Sequence, residues 1–148
     1  MYTSILVPLD GSQRAEKILP HVAEMAKRYG AEVILLKVDE PEITLGRDEV
    51  LDTDRYLDFR RRCKAETETY LETVRRQLTD KGLVVRVSIA YGSAVKAILE
   101  TAQAHNAGIV AMASHGLNAL PRQFYGSTTA GVLQQIDRPL LLIRSRTV

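Results

Sequence analysis

A strand-like run, Ile109-Val110-Ala111-Met112, leads into Ala113-Ser114-His115-Gly116, nine further residues, and then Gly126-Ser127 at the start of a helix-like stretch over 128–136. Strand, glycine-bearing loop and Gly-Ser helix start together expose main-chain N–H groups, the donors that hold an anion. Gly116 and Gly126 allow close backbone approach. Ser127 can cap a helix whose unpaired N–H groups and dipole attract phosphate. Thr128 and Thr129 either add hydroxyl contacts or are ordinary first-turn residues. His115 is a solvated loop residue or a donor to phosphate. No carboxylate in the loop orients it as a general base. Arg122 reads as a solvated surface arginine. These residues amount to a phosphate cradle.

Other chemistries fit less well. Gly126 and Gly131 have the spacing of a Walker loop, but Val132-Leu133 stand where its lysine and magnesium-binding hydroxyl belong. There is no Gly-x-Ser-x-Gly elbow. Cys63 falls mid-helix, away from an activating helix start, and reads as a core residue. Cysteine and histidine show no metal-site spacing. No residue is assigned a catalytic or metal-binding role.

The cradle needs elements to position it. Ile5-Leu6-Val7 begins a short buried strand that ends in Pro8-Leu9-Asp10. Asp10-Gly11-Ser12 is strong turn chemistry. A carboxylate at that place also accepts hydrogen bonds from ribose hydroxyls or adenine. Ser12 caps a helix with Ala15, Ile18, Leu19, Val22, Ala26 and Tyr29 on one face, stopped by Gly30. Pro20 inside it predicts a kink or a later start. A second strand spans 33–38 and a loop 39–53. A long helix over 54–81 carries Tyr56, Phe59, Cys63, Tyr70, Leu71, Val74 and Leu78 near heptad spacing and ends at Gly82. The third strand is 83–90. Ser93 then caps a helix with Ala94, Ala97, Ile98, Ala102 and His105 inward. The last strand is 140–144. Strands that alternate with helices, each an apolar run, predict an α/β fold with a parallel sheet covered on both faces.

Composition narrows the function classes. A chain of 148 residues suits one domain, 1–148, with a sizeable core. The formal net charge of +2, with both signs interspersed, gives no reason to invoke nucleic acid or an anionic membrane. An aromatic content of 5% is too sparse for a base-stacking platform. No apolar run approaches the length that spans a bilayer. The N-terminus enters a strand pattern directly, without a signal-like core. A single cysteine excludes an internal disulfide and fits a reducing cytoplasm.

With these residues in place, the chain resembles the universal stress protein family. The nucleotide-binding members of that family carry Gly-x2-Gly-x9-Gly-Ser/Thr. Ala113 to Gly116, the nine-residue gap and Gly126-Ser127 match it, with Ala113 where the first glycine usually sits. If Ala113 needs a positive φ, its methyl group costs about 1–2 kcal/mol; at negative φ it is harmless unless it touches phosphate. Ile5 to Ser12 is similar to the family's first strand and Asp-Gly-Ser turn, and Arg138 to Ile143 to its last helix-to-strand junction. The resemblance implies a Rossmann-like open five-stranded sheet of order 3-2-1-4-5. In that order the carboxyl ends Pro8-Leu9-Asp10 and Met112-Ala113-Ser114 line one switch-point crevice. It further implies that Asp10 contacts a nucleotide and that Val38 lies beside adenine. The expected ligand is ATP, alone or with Mg2+ or Mn2+ on its phosphates, in a nucleotide-dependent regulator of the stress response. Alternatives are a nucleotide-free dimeric interaction module and a slow ATPase. The resemblance also implies an antiparallel homodimer through the edge strand Leu140–Ile143, whose apolar run has no charge within it.

Overall fold

The computed structural model describes residues 2–39, 53–114 and 126–144. Five parallel strands form one sheet in the order β3-β2-β1-β4-β5. They are β1 (Ser4–Leu9), β2 (Glu32–Asp39), β3 (Val85–Tyr91), β4 (Ile109–Ala113) and β5 (Leu140–Ile143). The helices are α1 (Gln13–Glu16), α2 (Leu19–Tyr29), α3 (Thr53–Thr79), α4 (Ala94–Ala104) and α5 (Ser127–Gln135). The implied strand order and the two-layered cover are both present. β1 pairs with β2 on one side, Leu9 opposite Lys37, and with β4 on the other, Ile5 opposite Ile109. The chain therefore winds away from β1 and β4 in opposite directions, which makes their carboxyl ends a switch point, the place where open α/β sheets form a ligand crevice.

Strand alternation divides the core in two. Ile5, Val7, Leu9, Val33, Leu35, Ile109 and Ala111 pack with α2 and the C-terminal half of α3. Leu6, Ile34, Leu36, Val110 and Met112 pack on the opposite face with Ile98 and Ala102 of α4 and Val132 of α5. Both faces of the central strands are thus dry, which is why they read as continuous apolar runs rather than alternating ones.

Pro20 decides how the first helical segment divides. Ser12 caps α1 by accepting from the Ala15 N–H at 3.1 Å. The helix lapses after one turn and restarts as α2, with Pro20 in its first turn, where its missing N–H has no helical partner to lose. Gly30 ends α2 at φ +61, and Gly82 follows α3 at φ +87, both in the left-handed region that favours glycine. Four inward assignments need correction. Tyr29 is exposed and meets Tyr2 edge to face at 5.0 Å. His105 is exposed just beyond the end of α4. Phe59 is exposed and Cys63 only half-buried, because the N-terminal half of α3 has left the sheet; its buried residues are Thr67, Leu71, Val74 and Leu78. The third strand begins at Val85 rather than 83, although Leu83 is still buried.

Candidate functional site

β4 and α5 form one wall of the crevice. The Ser114 N–H donates to the Ile143 carbonyl at 2.8 Å, which ties the end of β4 to β5. The Ser114 carbonyl accepts from the Gly126 N–H at 2.9 Å and from the Thr129 hydroxyl at 3.1 Å. The same hydroxyl lies 3.4 Å from the Ala113 carbonyl. Gly126 is thereby stapled to the strand end and α5 starts beside it. Gly126, not Ser127, is the N-cap residue, and no side chain caps this helix. Ser127 is exposed and Thr128 half-buried. A helix has no internal partners for its first N–H groups. Here those groups and the positive end of the dipole sit at the carboxyl edge of the sheet. That donor set fits a phosphate.

This geometry bears on three residues around the helix start. Gly126 has φ −66 and ψ 163, extended backbone open to any residue, so torsion does not require glycine there. Ala113 is not among the residues with positive φ; it closes β4 opposite Ile143 and its methyl group is unstrained. Thr129 is 2% exposed with its hydroxyl turned to strand carbonyls, so it anchors the helix start. Gly131, the other glycine of the Walker-like spacing, serves packing: a Cβ there would sit 2.6 Å from Val95 of α4.

β1 contributes the floor. Asp10 is half-buried, and its Oδ1 accepts from the Ser12 N–H at 2.9 Å and the Ser12 hydroxyl at 2.5 Å. The turn reading of Asp10 therefore holds. Gly11 follows at φ +87, which favours glycine. Leu9 and Met112 direct their side chains into the two cores and offer the crevice only main chain. Pro8 is half-buried between them.

β2 and α3 form the other wall, and sequence reasoning passed over its chemistry. Val38 packs toward α4. Its neighbours Lys37 and Asp39 are bound to α3: Lys37 Nζ lies 2.7 Å from Asp39 Oδ1 and 3.2 Å from Thr67 Oγ1. The Thr67 hydroxyl also lies 2.9 and 3.0 Å from the two Asp39 oxygens. A charge within a buried strand run and a polar residue in the inner stripe of a helix were the signals available for this triad. Nearby, Tyr70 has a buried hydroxyl without a partner among the described residues. Burial first, then the Glu16 and Asp10 carboxylates, push its pKa above the ordinary tyrosine range. His115 and Gly116 lie outside the described residues. Among the described residues no group of three or more His, Cys, Asp or Glu could hold a metal ion. None of the described helices is long and apolar enough to cross a membrane.

The universal stress protein family profile matches residues 1–144. The chain belongs to this family. Universal stress protein MJ0577 of Methanocaldococcus jannaschii is 28% identical, over 99% of this chain and 97% of that protein. Its solved structure superposes with a TM-score of 0.87 over 100% of this chain and 99% of that one. Two more distant structures share the fold. One is a universal stress protein in complex with cAMP, at TM-score 0.72 and 17% identity, covering 98% of each chain. The other is an Arabidopsis thaliana family protein with AMP bound, at TM-score 0.69 and 15% identity, covering 98% of this chain and 93% of that one.

Proposed function

We propose that this universal stress protein binds an adenine nucleotide, ATP in the first instance, and acts as a nucleotide-dependent regulator in the stress response. The observation that carries the reading is the uncapped start of α5, stapled to the end of β4 through Ser114. Ser127, Thr128 and Thr129 supply first-turn N–H groups to the phosphates, and His115 and Gly116 belong to the same loop by their place in the chain. Asp10 accepts from ribose or base. Pro8, Leu9, Val38, Met112 and Ala113 shape the strand ends around it. Mg2+ or Mn2+, where present, rides on the phosphates. The cAMP and AMP complexes of the two fold relatives support titrating those nucleotides beside ATP. Mass analysis of nucleotide released from freshly denatured protein, followed by calorimetry with all three, tests the reading. Saturable binding of at least one adenine nucleotide is expected; no binding at millimolar concentration overturns it.

A homodimer through β5 completes the proposal. β5 is the edge strand of the described sheet, so one side of its backbone has no strand partner among the described residues. Leu141 and Ile143 pack toward one core, Leu140 and Leu142 toward the other. The side chains serve the protein's own interior, and what the edge offers a second copy is hydrogen-bonding backbone. The carbonyls of Pro139 and Ile143 bond β4, so the outward groups belong to the alternate residues Leu140 and Leu142. Leu142→Pro removes an outward N–H and should shift the protein to monomer in light scattering. An unmodified protein that is monomeric at tens of micromolar, or a Leu142→Pro variant that stays dimeric, excludes this interface.

A further inference from the structure

The crevice has a charged wall on the side away from the phosphate cradle. Lys37 is on the strand that bears Val38, and it stands opposite Leu9 in the β1–β2 register, directly before Asp10. Its Cε would lie 3.8 Å from a Cβ placed on Gly11, so its stem crosses the Asp10-Gly11 turn. The ammonium is held by Asp39 and Thr67, and the Lys37 and Asp39 side chains are only 19% and 12% exposed. Asp10 forms this turn with Ser12, Glu16 follows in α1, and Asp39 is held by Lys37 and Thr67; Asp10 and Glu16 both raise the pKa of Tyr70. An anionic ligand entering beside these carboxylates meets repulsion, and in a partly desolvated crevice that repulsion is poorly screened. Lys37 is the cation bound to one of them, Asp39, and its stem lies beside the turn that carries Asp10.

We propose that Lys37 is a specificity-determining residue of this crevice, setting by its charge how many negative charges the bound nucleotide can carry. Asp39 sets the opposing term, and Thr67 holds the two in place against α3. This rests on the nucleotide-binding reading above and adds to it a dependence on ligand charge, from adenosine through AMP to ATP. A packing role for Lys37 predicts no such gradient, because adenosine shares the base and ribose of the other two.

The test is calorimetry of adenosine, AMP and ATP against the unmodified protein and three variants, each with a thermal melt. Lys37→Met should weaken ATP by about tenfold or more while changing adenosine by less than about threefold, with AMP between, since the Coulomb term scales with ligand charge. Asp39→Asn should move the ATP-to-adenosine ratio the opposite way, because it leaves the ammonium unneutralised. The double variant Lys37→Met/Asp39→Asn removes both charges without a buried unpaired ion and should return the ratio toward that of the unmodified protein. Should Lys37→Met fail to fold, the Asp39→Asn and double variants still decide the sign. Equal losses across the three ligands, or Asp39→Asn lowering the ratio, overturn the proposal. An unmodified protein that binds none of the three overturns the nucleotide reading itself, a different result from one that binds them without a gradient.

Discussion

On the β4–α5 side of the crevice, position is fixed on one main-chain carbonyl: Ser114 accepts from the Gly126 N–H and the Thr129 hydroxyl, and the described side chains beside it are small and uncharged. On the β2–α3 side it is fixed by side chains that carry charge, Lys37 and Asp39, with Thr67 between them and the helix. The first arrangement leaves helix-start donors without partners in their own helix and, among the described residues, adds no net charge. The second pairs a cation with a carboxylate, so removing either one leaves a net charge on that wall. The contrast teaches how one crevice can separate two tasks, holding a phosphate by geometry on one wall and grading the ligand by charge on the other.

The largest expected effect falls on the neutral wall. Gly126→Val keeps a backbone that valine readily adopts, since φ there is −66. It places a branched side chain where a phosphate must approach. ATP affinity should fall by about 100-fold or more with the melting temperature nearly unchanged, as expected for lost access to helix-start donors. Unchanged affinity in calorimetry would show that the cradle is not at α5.

The two threonines compare the walls directly. Thr129→Val removes one donor from Ser114, whose carbonyl keeps the Gly126 N–H, so the cost should be about 1 kcal/mol. Thr67→Val leaves a buried carboxylate short of the hydroxyl that reaches both its oxygens, and the cost should be about 1.5–3 kcal/mol. Urea unfolding of the two variants ranks them, and the reverse ranking would mean that charge is not what stiffens the β2–α3 wall.

The neutral wall was also the more legible one in sequence. Glycine spacing, a strand run and a helix start are local signals, and they placed the start of β4 at Ile109 and set α5 within one residue of its observed start. Pro20 announced the break between α1 and α2 for the same reason. The triad was not announced, because Thr67 stands 28 residues from Asp39 and 30 from Lys37, and only the folded sheet brings them together. Tyr29, Phe59 and His105 fit apolar periodicity yet lie where their helices end or leave the sheet, which periodicity cannot register. The cap at Gly126 rather than Ser127 is a one-residue shift that a glycine-serine pair leaves open.

Ala113 offers a smaller test of the same wall. Its backbone does not need glycine, so Ala113→Gly should leave ATP affinity within about threefold. It should lower stability by about 0.5–1 kcal/mol through added freedom in the unfolded chain. A large loss of affinity in calorimetry would mean that the methyl group itself shapes the site.

The smallest effect comes from an exposed ion pair on α3, the control for the buried one. Glu72 accepts from Arg75 Nε at 2.8 Å and Nη2 at 2.5 Å, and from Arg76 Nε at 3.3 Å. Hydrogen bonds and charge from Arg75, then from Arg76, bring its pKa down from 4.5 to about 2. A carboxylate whose pKa is lowered by folding stabilises the fold above its unfolded value and loses that contribution as pH falls through the folded one. The Glu72→Gln variant should therefore be slightly less stable than the unmodified protein at pH 6. The gap should narrow below about pH 4.5 and close near pH 2. Molar salt should close it at pH 6 too, because these groups are open to solvent. The Thr67→Val deficit should survive the same salt, since the Lys37–Asp39 pair is largely shielded from it. Thermal melts of both variants at low and high salt make the comparison, and a Thr67→Val deficit that salt abolishes would place the triad among ordinary surface pairs.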